Sequence, residues 1–169
     1  MRDTASAGVP FTDDAPATSS TTGPRMSSTP RPDVIRVILA DDHLVVRAGL
    51  KALLGVSKDI EVVGEAANGR DAIALVERLK PDVAVLDLDM PQMDGMTATK
   101  ALVAAHSTTR VLILTMHNED EYLVTLLEAG AAGYLVKNAA DRELADAVRA
   151  VAAVIPTCNP PRHAHLRAR

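Results

Sequence analysis

From Val34 onward, short strand-like aliphatic runs and apolar residues at helical spacing take strict turns along the chain, and this alternation narrows the possible folds more than any other feature. Val34-Ile35-Arg36-Val37-Ile38-Leu39-Ala40 reads as a strand and ends on Asp41-Asp42. Residues 43 to 55 place Val46, Leu50, Leu53 and Leu54 at helical spacing, and Gly55 closes that helix. Ile60 to Ala66 is rich in β-branched residues and reads as a second strand, after which Asn68-Gly69 turns the chain. Ile73, Val76 and Leu79 mark the next helix, ended by Pro81. Val83-Ala84-Val85-Leu86 then drives into Asp87, as a strand buried on both faces does. A helix follows Asp94, with Ala98, Leu102 and Ala105 facing inward, and Arg110 to Thr115 is a fourth strand. Asn118-Glu119-Asp120-Glu121 has the form of a helix start, and Gly130 ends that helix. Gly133 to Lys137 is a short fifth strand. Leu144, Val148, Val151 and Ile155 make a last helix that begins near Ala140, a poor cap, and stops at Pro156.

Strict alternation implies right-handed crossovers and a parallel sheet with helices on both faces. Of the two common strand orders, five strands in one small domain favour 2-1-3-4-5, a flavodoxin-like α/β sandwich. Residues 1–33 are a different material, dominated by Thr, Ser, Pro, Ala and Asp. They bury too little apolar surface to offset their ordering entropy and are expected to be a disordered leader. The folded domain is expected over 34–153, and 154–169 reads as an irregular basic tail.

Composition excludes several classes. The 169 residues contain only three aromatics, Phe11, Tyr122 and Tyr134, too few for base-stacking nucleic-acid modules. A net charge of -4 gives no drive toward nucleic acid or an anionic membrane. The single cysteine, Cys158, rules out an intrachain disulfide and a Cys-based zinc cage. Neither a spanning apolar run nor a signal-peptide core is present, so a cytoplasmic protein is expected.

The order 2-1-3-4-5 opens its ligand crevice between strands one and three. Asp41, Asp42 and Asp87 then share that crevice, and three crowded carboxylates call for a cation. A hard, oxygen-seeking ion such as Mg²⁺ suits them. Strand four brings Thr115 to the same edge and strand five brings Lys137. Acids, hydroxyl and amine suit phosphoryl transfer onto Asp87 as nucleophile, with Lys137 balancing charge and Thr115 donating to a phosphoryl oxygen. Singly, each residue has a plainer role: Asp87 a turn residue, Asp41-Asp42 a helix cap, Thr115 structural, Lys137 solvated surface. Their coincidence at one edge outweighs those readings.

Ala40-Asp41-Asp42-His43, Asp87-Leu88-Asp89-Met90-Pro91-Gln92-Met93-Asp94-Gly95, Leu114-Thr115 and Gly133-Tyr134-Leu135-Val136-Lys137 together resemble the signature of response-regulator receiver domains of two-component systems. The Asp-Asp-His triplet and Gly130-Ala131-Ala132-Gly133 are similar to the NarL/FixJ subfamily, which carries a LuxR-type DNA-binding tail. The resemblance implies that Asp87 is the phospho-acceptor. It implies that Asp42 and Asp87 ligate Mg²⁺, helped by Asp41 and the main-chain carbonyl of Asp89. Thr115 and Tyr134 would be a switch pair, and Lys137 would contact the acyl phosphate. The donor would be a sensor histidine kinase. Catalysis would extend only to the chain's own phosphorylation and dephosphorylation. The output surface would lie on helix four, strand five and helix five, with homodimerisation left open.

Where the family often has Pro after the lysine, this chain has Asn138, and a trans peptide bond is expected there. Asp89 and His117 lie two residues past Asp87 and Thr115, where side chains influence phosphate lifetime. Asp87-Leu88-Asp89 also imitates an aspartate-nucleophile phosphatase, but such enzymes place their metal acids after the nucleophile, not before it. The change of texture near residue 154 raises a further reading, a DNA-binding transcription regulator truncated or frameshifted there. Translating the downstream DNA in the other frames separates that from a stand-alone receiver. No DNA binding is expected from these residues alone.

Overall fold

The computed structural model describes residues 34–116 and 120–154; the leader, the tail, the Asn118 cap, His117 and Ile155 lie outside them. Strands β1 (Ile35–Ala40), β2 (Ile60–Ala66), β3 (Val83–Asp87), β4 (Arg110–Thr115) and β5 (Gly133–Val136) alternate with five α-helices. The helices are α1 (Leu44–Gly55), α2 (Gly69–Leu79), α3 (Gly95–Ala104), α4 (Asp120–Glu128) and α5 (Ala140–Ala153). A 3-10 turn, Lys137–Ala139, leads into α5. The sheet is parallel with order β2-β1-β3-β4-β5, as the alternation predicts.

Successive strand residues face opposite sides of a sheet, and here each side has its own core. Ile38, Ala84, Leu86 and Ile113 meet Val76, Ala98, Leu102 and Leu126 of α2, α3 and α4. Val37, Leu39, Val85 and Leu112 meet Leu50, Leu54, Leu144 and Val148 of α1 and α5. β3 lies between β1 and β4, and all five of its residues are buried. Emptying one such position, as in Leu86→Ala, costs about 2–5 kcal/mol.

Local chemistry sets the helix ends. Asn68 caps α2, its side chain accepting the Asp71 N–H at 2.9 Å, so the expected Asn68-Gly69 turn is the helix start itself. Asp94 caps α3 by accepting the Thr97 N–H at 2.6 Å. Gly130, with φ +100, takes the left-handed turn after α4. Ala139 gives α5 no side-chain cap, while Asp141 and Glu143 place negative charge in its first turn. The Lys137–Asn138 peptide is trans, like every other bond among the described residues.

One expectation needs correction: Ala105 is exposed, because it caps α3 one residue past the helix. Gly55 closes α1 as expected, as its last residue, and Val56 follows in right-handed helical geometry. Val46 and Leu53 lie on the apolar arc of α1 and are each 38 % exposed, because that arc is wider than the sheet covers. None of the described helices is long and apolar enough to cross a membrane.

Candidate functional site

Parallel register brings the C-terminal strand ends to one edge. Ala40 pairs with Leu86, Asp87 with Leu114, and Thr115 with Val136. Asp41 follows β1, Asp87 ends β3, Thr115 ends β4 and Lys137 follows β5. The loop from Leu88 to Asp94 folds tightly back on β3: the Gly95 N–H donates to the Leu88 carbonyl at 2.9 Å. A Cβ on Gly95 would overlap the main-chain carbonyl oxygen of Asp87, so only glycine allows this approach.

Asp41 and Asp87 are buried and share one ammonium. Lys137 Nζ donates to Asp41 Oδ2 at 3.0 Å and lies 2.7 Å from Asp87 Oδ2. Burial pushes the Asp87 carboxyl up, against the lowering effect of the Lys137 hydrogen bond. Burial alone would lower Lys137, but its hydrogen bonds to Asp87 and Asp41 outweigh this and raise it. Asp42 stands at the solvent side, with His43 Nδ1 at 2.7 Å from its Oδ1. The His43 N–H donates to Asp41 Oδ1 at 2.8 Å; His43, not either acid, stands at the N-cap position of α1, and its side chain makes no capping hydrogen bond. Thr115 is fully buried, Tyr134 is half-buried on β5, and Asp89 is exposed on the loop.

With Asp41, Asp42 and Asp87 ionised and Lys137 protonated, three negative charges face one positive charge. A divalent cation would balance the remainder, and carboxylate oxygens are the preferred donors of such an ion. Asp41, Asp42, His43 and Asp87 each offer a ligand atom within 4.8 Å of the others, so the residues present fit such an ion.

Two neighbours escaped the sequence reading. Arg47, in α1, donates from its guanidinium to the main-chain carbonyl of Asp41 and lies 3.4 Å from Glu65 at the end of β2. His43, in the sequence only one residue of the Ala40-Asp41-Asp42-His43 motif, places Nδ1 2.7 Å from Asp42 Oδ1. The available signal was a charged side chain one helical turn past the acid pair, too common to single out.

A parallel five-stranded sandwich with acids at β1 and β3, a threonine at β4 and a lysine at β5 defines a receiver domain. The response regulator receiver domain family matches residues 37–149. The chain belongs to this family. It is 44% identical over 117 residues to the transcriptional regulatory protein LiaR of Bacillus subtilis, covering 69% of this chain and 56% of that protein. It is equally 44% identical over 118 residues to the oxygen regulatory protein NreC of Staphylococcus carnosus, covering 69% and 54%. The chain thus spans about half the length of these relatives. Among solved structures, the signal receiver domain of NarL from Mycobacterium tuberculosis superposes with TM-score 0.69 at 39% identity, covering 72% of this chain and 98% of that one. ChrA of a heme-sensing two-component system gives TM-score 0.61 at 44% identity, covering 71% and 57%.

Proposed function

We propose that residues 34–153 form a phospho-accepting receiver that takes a phosphoryl group from a sensor histidine kinase onto Asp87. The observation that carries this reading is the shared ammonium: Lys137 lies between the two buried acids, 2.7 Å from Asp87 Oδ2. An Asp87 oxygen attacks phosphorus in line; the O–P bond forms as the donor's N–P bond breaks. Lys137 passes from the carboxylate to a phosphoryl oxygen, holding the charge that arrives. The Thr115 hydroxyl donates to a second oxygen, and Tyr134 moves inward as Thr115 shifts. Mg²⁺ held by Asp41, Asp42, Asp87 and the Asp89 carbonyl would neutralise phosphoryl oxygens.

The output face comprises α4, β5 and α5. The chain acts in the cytoplasm, turns over no free substrate, and does not itself retard promoter DNA. Incubation with acetyl phosphate and Mg²⁺ adds one phosphoryl group by intact mass. Undiminished labelling of Asp87→Asn would sink the assignment. Repeated turnover of small phosphate esters would favour a phosphatase instead.

A further inference from the structure

We propose that Arg47 is a positioning residue: it holds the main-chain carbonyl of Asp41, and a bulge in β2 supplies Glu65 to hold Arg47 in turn. This rests on the cation reading of the acidic pocket and names the residues outside it that keep its paired acids in place.

Three observations converge. First, the bulge re-aims β2. Val37 pairs with Val62 but Ile38 pairs with Gly64, so Val63 is an extra residue. Val62 packs against the core under α1 and α5, and Val63 against the core on the α2 side. A Cβ on Gly64 would also meet α2 side chains, those of Leu79 and Leu75. Two successive positions thus face α2, and Glu65, the partner of Leu39, is turned to the α1 side. Without the extra residue, the period of two would send Glu65 toward α2. Second, Glu65 meets two cations of α1 there. Lys51 Nζ donates to Glu65 Oε1, and Arg47 Nε lies 3.4 Å from Oε2. The Lys51 hydrogen bond holds the Glu65 carboxyl below its ordinary value, which keeps it charged beside Arg47. The Arg47 side chain is only 14% exposed, and its buried Nε makes no hydrogen bond among the described residues. A solvated arginine avoids that cost; this one is committed to the Asp41 carbonyl instead. Third, the Asp41 main chain is gripped on both sides. Its N–H donates to the Ala66 carbonyl at 3.2 Å, and its C=O accepts from Arg47 Nη1. That C=O belongs to the peptide leading to Asp42, so Arg47 sets the direction in which the Asp42 carboxylate leaves the chain. Asp42 lies at the solvent side, where packing does little to fix it.

Two readouts on the full chain test this, one without metal and one with it. In the absence of Mg²⁺, hydrogen exchange of the His43 amide, which donates to Asp41 Oδ1, should quicken about tenfold in Arg47→Ala relative to the amides of β3. A residue that only stabilised the fold would quicken both alike. By calorimetry, Mg²⁺ binding should weaken about tenfold in Arg47→Ala, while labelling by acetyl phosphate at saturating Mg²⁺ falls by less. Glu65→Gln should weaken Mg²⁺ binding by a smaller factor, and the double variant no more than Arg47→Ala alone, because both act through one carbonyl. Arg47→Lys keeps one donor for the carbonyl and should recover part of the loss. Unchanged His43 exchange in Arg47→Ala, unchanged Mg²⁺ affinity there, or losses that multiply in the double variant overturn the proposal. Should Arg47→Ala fail to fold, Glu65→Gln and Arg47→Lys carry the same two measurements, and a His43 amide that follows β3 in both overturns it equally. A wild-type chain that binds no Mg²⁺ removes the cation reading by itself; the metal-free exchange then decides for Arg47, selective quickening supporting its hold on the carbonyl and none overturning it.

Discussion

Two carboxylates in this molecule each hold a cation at nearly the same distance, and they respond in opposite ways. Asp87 Oδ2 lies 2.7 Å from Lys137 Nζ; Asp59 Oδ2 lies 2.6 Å from Arg149 Nε. Burial pushes Asp87 up, while the Arg149 hydrogen bonds pull Asp59 down to about 2. At Asp59 the solvated side chain meets a guanidinium fork, with Arg149 also reaching Ser57 and Asp146. At Asp87 one ammonium is divided between two buried acids, and a third stands alongside. The Asp59 pair is complete in itself and ties α5 to the loop before β2. The Asp87 cluster is under-compensated and therefore receptive to added positive charge.

The contrast is broken most severely by Lys137→Ala. Uncompensated buried carboxylates should cost about 3 kcal/mol, read by urea denaturation, and phosphoryl labelling should collapse. If stability is unchanged, Asp41 and Asp87 are not ionised together. Gly95→Ala tests the frame rather than the charge. Its methyl group must displace the Asp87 carbonyl, so about 1–3 kcal/mol should be lost along with labelling efficiency. Asp87→Asn runs the other way: relieving a buried negative charge should raise the melting temperature by roughly 2–6 °C at neutral pH.

The smallest effect is one of slope. Asp87 is raised in the folded state, so its contribution is present below its ordinary value of 3.8 and lost as pH rises through the raised value. Asp59 is depressed, so its contribution is present above 3.8 and lost as pH falls toward about 2. Asp59→Asn should flatten the loss of stability below pH 3.8, and Asp87→Asn should flatten the opposite slope above it. Thermal denaturation across that range reads both, and like-signed slopes would erase the distinction.

The fold was legible because its signals are periodic. Alternation fixes a parallel sheet, and an acid, a threonine or a lysine just past an apolar run lands on one edge whatever the details of packing. Periodicity marks an apolar arc but not how much of it a neighbour covers: Val46 and Leu53 share the arc of α1 with buried Leu50 and Leu54 and are 38 % exposed. Asn68 carried too little information to separate a turn from a cap. The approach of His43 to Asp42 depends on the angle at which the chain enters α1. Arg47 reaches back to the Asp41 carbonyl across the same turn. Such contacts are set by side-chain geometry, which residue spacing does not encode.

The central claim is that the phosphoryl group resides on Asp87 and on no neighbouring acid. After incubation with acetyl phosphate and Mg²⁺, borohydride reduction converts an aspartyl phosphate to homoserine, and tryptic mapping locates it. The peptide Leu79–Lys100, left whole across Lys80-Pro81, contains Asp82, Asp87, Asp89 and Asp94. Fragmentation should place homoserine at Asp87 alone. Homoserine at Asp89 or Asp94, or an unmodified peptide from a labelled chain, would contradict the account.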